Sequence, residues 1–172
     1  MRKIILLGYM GCGKSTIANR LSKITNIPFV DLDKSIEERT NLSINEIFQK
    51  HGEIYFRKLE RQFFVELLDS PEDLIIGLGG GTPCYANNHE LLQGKNILSV
   101  YLKASVDTLF ERLVTNKSKR PIIANKTDEE LKEFIAIHLF ERSYYYNQAQ
   151  HKVVIDGKSK DETTQDIFAL LA

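Results

Sequence analysis

Nine residues near the amino end carry the strongest chemical signal in the chain: Gly8-Tyr9-Met10-Gly11-Cys12-Gly13-Lys14-Ser15-Thr16. A glycine, four residues, then Gly-Lys-Ser is the spacing of a loop that cradles phosphate groups. Glycines let backbone N–H groups turn inward around a β-phosphate, where a Cβ would clash. Gly11, Cys12, Gly13, Lys14, Ser15 and Thr16 are therefore the candidate ATP contacts. Lys14 brings a point charge to the β- and γ-phosphates, and the Ser15 hydroxyl is a candidate Mg²⁺ ligand. A helical pattern of Ile17, Leu21 and Ile24 follows at once and aims its positive end at the same anions. A strand before and a helix after argue against a chance glycine turn. Cys12 lies beside Lys14 among these N–H groups, where a thiol is either activated or simply small enough to pack; both readings stand. The loop implies nucleotide binding, and by itself does not separate an enzyme from a non-hydrolysing regulatory module.

A second set of residues could handle an acceptor. Pro28-Phe29-Val30-Asp31-Leu32-Asp33 places two carboxylates at the carboxyl end of a second strand, where open α/β sheets bind ligands. A period of two would send both to one side. One suits the water shell of Mg²⁺ and the other a hydroxyl proton, although Asp33 could instead cap the helix starting at Lys34. Arg57 and Glu60 are three apart on one helix face, so Glu60 could hold the guanidinium in place. The same pair could be a surface ion pair of little consequence. Gly77-Leu78-Gly79-Gly80-Gly81-Thr82 closes a third strand. Three glycines in succession cost backbone entropy, which fits a ligand lying on their N–H groups or a tight turn. Arg142 stands late in a long helix, before Tyr144-Tyr145-Tyr146, as a second cation or a solvated surface residue. The tyrosines read as packing. His51, His89, His138 and His151 show no ligand spacing and read as structural or solvated.

Positioning these groups requires one sheet. Most of the apolar runs at 3–7, 28–31, 74–78, 96–102 and 152–156 lack period-two alternation, as strands covered on both faces do. Amphipathic segments separate them, and Ser43-Ile44-Asn45-Glu46 and Thr127-Asp128-Glu129-Glu130 read as capping boxes that start helices. Strand–helix alternation over the whole chain predicts an α/β fold: a five-stranded parallel sheet with helices on both faces. At 172 residues the chain is read as one domain, 1–172, and with 42% hydrophobic residues it can bury a core without staples. Twenty-three Lys and Arg balance 23 Asp and Glu, which argues against a dedicated nucleic-acid binder. Cys12 and Cys84 cannot form a disulfide framework or a metal site. No apolar stretch is long enough to span a membrane, and the basic-then-apolar start enters a glycine loop instead of a cleavage site. A cytoplasmic protein is the expectation. The basic, proline-punctuated segment around Lys117, Lys119, Arg120 and Lys126 reads as a mobile lid over 116–126 with few apolar anchors.

In this order, GYMGCGKST, FVDLD, FR with a glutamate three residues on, GGG, KRP, and ER before the tyrosines make the chain resemble the shikimate kinases. The resemblance runs from the first strand to the last helix. It implies a P-loop fold of the nucleoside-monophosphate-kinase type and a phosphotransferase that moves the ATP γ-phosphate to the 3-hydroxyl of shikimate, giving shikimate 3-phosphate and ADP in the chorismate pathway. It further implies Lys14, Asp33 and Arg120 as catalytic groups, with Arg112 near adenine and Arg120 closing from the lid onto the phosphates. Ser15, and Asp31 through water, would hold Mg²⁺. Asp33, Arg57, Gly79, Gly80, Gly81 and Arg142 would bind shikimate, with acceptor-binding region 33–61. A monomer with ATP/ADP and shikimate as its only partners, and neither nucleic acid nor membrane, completes the expectation.

An acceptor with one carboxylate and several hydroxyls does call for arginine forks and a nearby carboxylate. A nucleoside monophosphate kinase would need several arginines for a second phosphate. A gluconate kinase is closer in chemistry but fits Arg57, the glycine run and Arg142 less well. Leu32 stands where a small or hydroxyl residue is common in the family, and 156–159 has no sharp adenine-loop signature.

Overall fold

Strand β1 (Lys3–Leu7) occupies the middle of the sheet, and that position decides where the phosphate loop emerges. The computed structural model describes residues 2–117 and 120–171. Ser118 and Lys119, within the segment read as a lid, lie outside the described residues. The other strands are β2 (Phe29–Asp31), β3 (Leu74–Gly77), β4 (Ile97–Lys103) and β5 (His151–Val154). Their order is β2-β3-β1-β4-β5 and every pairing is parallel, which is the five-stranded sheet the alternation predicts. The chain moves from β1 outward to β2, back to β3, then across β1 to β4. Such a reversal opens a crevice at the carboxyl ends of the central strands.

All five β1 residues are buried, so both faces of the sheet are covered. Even Lys3 is inside, its Nζ bonded to the carbonyls of Ser70 and Glu72. The helices are α1 (Lys14–Thr25), α2 (Leu32–Thr40), α3 (Ile44–Asp69), α4 (Val106–Val114), α5 (Asp128–Tyr146) and α6 (Lys160–Ala169). They pack as pairs α1/α6, α2/α3 and α4/α5. Both predicted capping boxes are present, at Ser43/Glu46 and Thr127/Glu130, and a third unread one stands at Ser159/Glu162.

Two local expectations need correction, and a third gains detail. Ile24 is largely exposed, and α1 packs through Ile17, Ala18 and Leu21 instead. The strand β2 stops at Asp31, whose own side chain caps α2 by accepting from the Lys34 N–H at 3.2 Å. Asp33 therefore lies in the first helical turn, and neither the period-two placement nor the cap applies to it. Finally, Ile123 anchors the segment read as a lid: it is fully buried, and successive turns bond Ile123 to Arg120 and Lys126 to Ile123.

Candidate active site

Helix α1 begins where β1 ends, after the loop 8–13. Helices α2 to α6 each have a side-chain oxygen capping the first turn, from Asp31, Ser43, Ser105, Thr127 and Ser159. Among the described residues α1 has no such cap and no acidic residue in its first turn; Gly13 stands at its N-cap. Its first N–H groups and positive dipole end are thus left for an anion. Gly13 has φ +97, and a Cβ there would run into the Lys160 ammonium. Lys14 Nζ lies across the loop, bonded to the Gly8 carbonyl at 2.7 Å and the Tyr9 carbonyl at 3.2 Å. Arg112 donates to the Cys12 carbonyl at 3.1 Å, tying α4 to the loop. Ser15 Oγ is 3.4 Å from Asp31 Oδ2.

At the other pole, each glycine of the run after β3 leaves room for one charged side chain. A Cβ on Gly79 would stand 3.0 Å from Asp33 Oδ1, one on Gly80 would stand 3.4 Å from Arg142 Nη1, and one on Gly81 would stand 3.1 Å from Arg57 Nη2. Asp33 is pushed up from 3.8 to about 6, first by burial and then by the charges of Glu60 and Asp31, against the pull of Lys14. A carboxylate near 6 is closer to the range of a general base than an ordinary aspartate.

Arg57 is held on three sides. Its Nη1 bonds Glu60 Oε2 at 2.9 Å, its guanidinium stacks 3.8 Å over the Tyr85 ring, and Glu53 lies 3.5 Å from Nε. Nε itself is buried and has no hydrogen-bond partner among the described residues. Glu60 is only 1% exposed, and its second oxygen accepts from Thr82 Oγ1 at 2.7 Å. The Arg57–Glu60 pair is therefore not a surface ion pair: it bolts α3 to the end of the glycine run. Tyr146 does the same for α5, donating from its hydroxyl to the Gly80 carbonyl at 2.5 Å one helical turn after Arg142.

An open cleft of about 1060 Å³ joins the two poles. It is lined by the loop, by Asp31, Asp33, Gly79 and Gly80, and by Arg112, Arg120 and Lys160. Arg57, Gly81 and Arg142 stand just beyond its lining, reached through Gly80 and Gly81. Arg120 is exposed on the rim, and Lys117 nearby is bonded to Asp128 and the Lys126 carbonyl. Cys12 does not face the cleft. It is 1% exposed and absent from the cleft lining, while burial raises the Cys84 thiol to about 11.

Lys160 is the residue that the sequence reading missed. The stretch 156–159 offers no lining residue, but the next position does, and a lysine opening a capped helix after the last strand was the available signal. Burial and the charge of Arg112 lower its pKa. Among the described residues no helix is long and apolar enough to cross a membrane, and no cluster of three His, Cys, Asp or Glu could hold a metal alone.

Comparison with known proteins gives the family and the fold. The family model for shikimate kinase matches residues 10–172. A shikimate kinase of Flavobacterium johnsoniae is 72% identical over 172 residues, covering all of both chains. Among solved structures, a shikimate kinase from Bacteroides thetaiotaomicron matches with TM-score 0.90 at 37% identity, covering 99% of this chain and 98% of that one. A shikimate kinase from Acinetobacter baumannii in complex with shikimate matches with TM-score 0.86 at 29% identity, covering 99% and 93%.

Proposed function

The chain belongs to the shikimate kinase family, and from that premise we propose how its cleft moves the γ-phosphoryl group of ATP to the 3-hydroxyl of shikimate. The products are shikimate 3-phosphate and ADP. The observation that carries the reading is the glycine run, whose three members abut Asp33, Arg142 and Arg57 in turn. One carboxylate and two arginines, separated by backbone that a Cβ would block, form a complement to a small molecule bearing one carboxylate and several hydroxyls.

Phosphoryl transfer asks for positioning and charge neutralisation more than for covalent chemistry. The loop N–H groups and Lys14 hold the β- and γ-phosphates from the uncapped end of α1, with Arg112 and Lys160 on the nucleotide side. Arg57 and Arg142 take the acceptor carboxylate, for which a guanidinium offers bidentate geometry. Asp33 faces the acceptor hydroxyl and accepts its proton as the new P–O bond forms and the bond to ADP breaks. Arg120, on the rim, neutralises charge on the transferring group. The Ser15 hydroxyl and Asp31 carboxylate are hard oxygen donors side by side, which fits Mg²⁺; that ion keeps most of its waters and uses few protein ligands beside the phosphates. When bound, it supplies charge neutralisation at the phosphates.

The test is ADP release measured with shikimate, gluconate, CMP and AMP offered separately. Turnover with shikimate alone is the expected result. Preference for gluconate or a nucleoside monophosphate would overturn the acceptor assignment, and ADP release in none of them would favour a binding module.

A further inference from the structure

Tyr9 touches both halves of the site although its ring is buried at 1% exposure inside the phosphate loop. Its carbonyl accepts from Lys14 Nζ at 3.2 Å, its ring lies 5.5 Å from the Arg142 guanidinium, and its hydroxyl is 3.1 Å from His138 Nδ1. His138 and Arg142 are four residues apart in α5, so they occupy the same helix face one turn apart. Burial raises the Tyr9 hydroxyl to about 12, and burial together with the Arg142 charge lowers the His138 pKa. The phenol thus stays a donor and the neutral imidazole can accept its proton. Phe134, one turn earlier in α5, packs against that imidazole at a tilt with ring centroids 4.1 Å apart, which helps hold the ring in place.

We propose that Tyr9 is a positioning residue: its hydroxyl pins α5 through His138, and its ring supports the Arg142 guanidinium for the acceptor carboxylate. The phosphate loop and the carboxylate clamp are then one mechanical unit, linked through a side chain at a position of the loop pattern that the phosphate-cradling chemistry leaves unspecified. The inference rests on the acceptor assignment above.

The experiment uses Tyr9→Phe, Tyr9→Leu, His138→Leu and Arg142→Ala, with initial rates in shikimate and ATP and a thermal melt for each. Tyr9→Phe should raise KM for shikimate about 3-fold to 10-fold, the scale of one neutral hydrogen bond, with kcat and KM for ATP unchanged. His138→Leu should do the same, and Tyr9→Phe with His138→Leu should be no worse than either alone. Tyr9→Leu, which also removes the ring, should exceed both. In an Arg142→Ala background the Tyr9→Phe effect on KM should vanish.

Additive losses in the pair, an undiminished Tyr9→Phe effect without Arg142, or equal losses in KM for both substrates would overturn the proposal. So would wild-type kinetics in Tyr9→Phe. If Tyr9→Leu fails to fold, the Tyr9→Phe and His138→Leu cycle still decides. Absence of shikimate turnover in the unaltered enzyme would instead reject the acceptor assignment, which separates the two failures.

Discussion

The nucleotide pole and the acceptor pole of the cleft are built on opposite plans. The first is built mainly on backbone: Gly8, Gly11 and Gly13, an uncapped helix start and Lys14 all lie within residues 8–16, with only Arg112 and Lys160 reaching in from α4 and α6. The second is almost entirely side chain. It gathers Asp33 from α2, Arg57 and Glu60 from α3, Thr82 after β3, and Arg142 and Tyr146 from α5; Arg57, Glu60 and Thr82 are bonded in a chain, and Tyr146 is bonded to the Gly80 carbonyl. A backbone site depends on few identities but on strict dihedral angles. A side-chain site depends on many identities, and each contact can be weakened separately. The two poles should therefore fail differently when altered.

The largest effect should come from Lys14→Met. It removes the one indispensable side chain of the backbone pole, and kcat should fall on the order of 10²-fold or more, about 2.7 kcal/mol of transition-state stabilisation. Because Lys14 faces the cleft, a thermal melt should move little. Near-normal turnover would break the contrast at once.

Asp33→Asn comes next, with a fall in kcat of about 10²-fold, the lower range for a lost general base. In the unaltered enzyme kcat/KM should drop as pH falls through about 6, where Asp33 protonates. Stability runs the other way. The folded state holds the Asp33 proton up to about 6 while the unfolded chain releases it near 4, so this group's contribution to folding is lost as pH rises through 6. Asp33→Asn should accordingly melt higher than the parent at pH 7 and lose that advantage below pH 4. A variant equally stable at both pH values would mean that Asp33 is not strained by burial.

Arg57→Ala should raise KM for shikimate roughly 10-fold or more while changing kcat less, the scale of a charge-assisted hydrogen bond. Arg57→Lys should rescue little, since an ammonium offers neither the fork nor the stacking on Tyr85. Full rescue would show that charge alone matters at this pole. The smallest effect is expected from Cys12→Ala. Its sulfur is packed inward, so activity should stay within about 2-fold and the folded parent should resist thiol reagents. Rapid inactivation that MgADP prevents would restore the reactive alternative for Cys12.

The same difference in plan explains what could be read from the residues. A contiguous motif carries its own geometry, so the loop, its preceding strand and its following helix are legible, as are the five-stranded parallel sheet and two capping boxes. Asp33 was picked out for a faulty reason, because the strand ended at Asp31 and a helical turn, not strand alternation, brought it into the cleft. Long-range partners leave no local trace. Nothing near Glu60 announces Thr82, nothing near Tyr146 announces Gly80, and Lys160 enters the cleft only because α6 packs on α1. The tyrosine run reads as partly buried packing without saying which ring goes in: Tyr146 is fully buried and bonded while Tyr144 is 63% exposed, since consecutive helix positions turn away from one another.

The glycine run also sets where resistance to an inhibitor could arise. A compound that occupies the acceptor pole by lying on Gly79, Gly80 and Gly81 would rest on positions where any added Cβ presses on Asp33, Arg142 or Arg57. Escape by substitution at Gly79 or Gly81 would crowd Asp33 or Arg57, groups that hold the natural acceptor, so the enzyme would lose substrate binding along with the drug. Compounds leaning instead on the exposed Ile54 would meet a side chain free to vary, and resistance should appear there first.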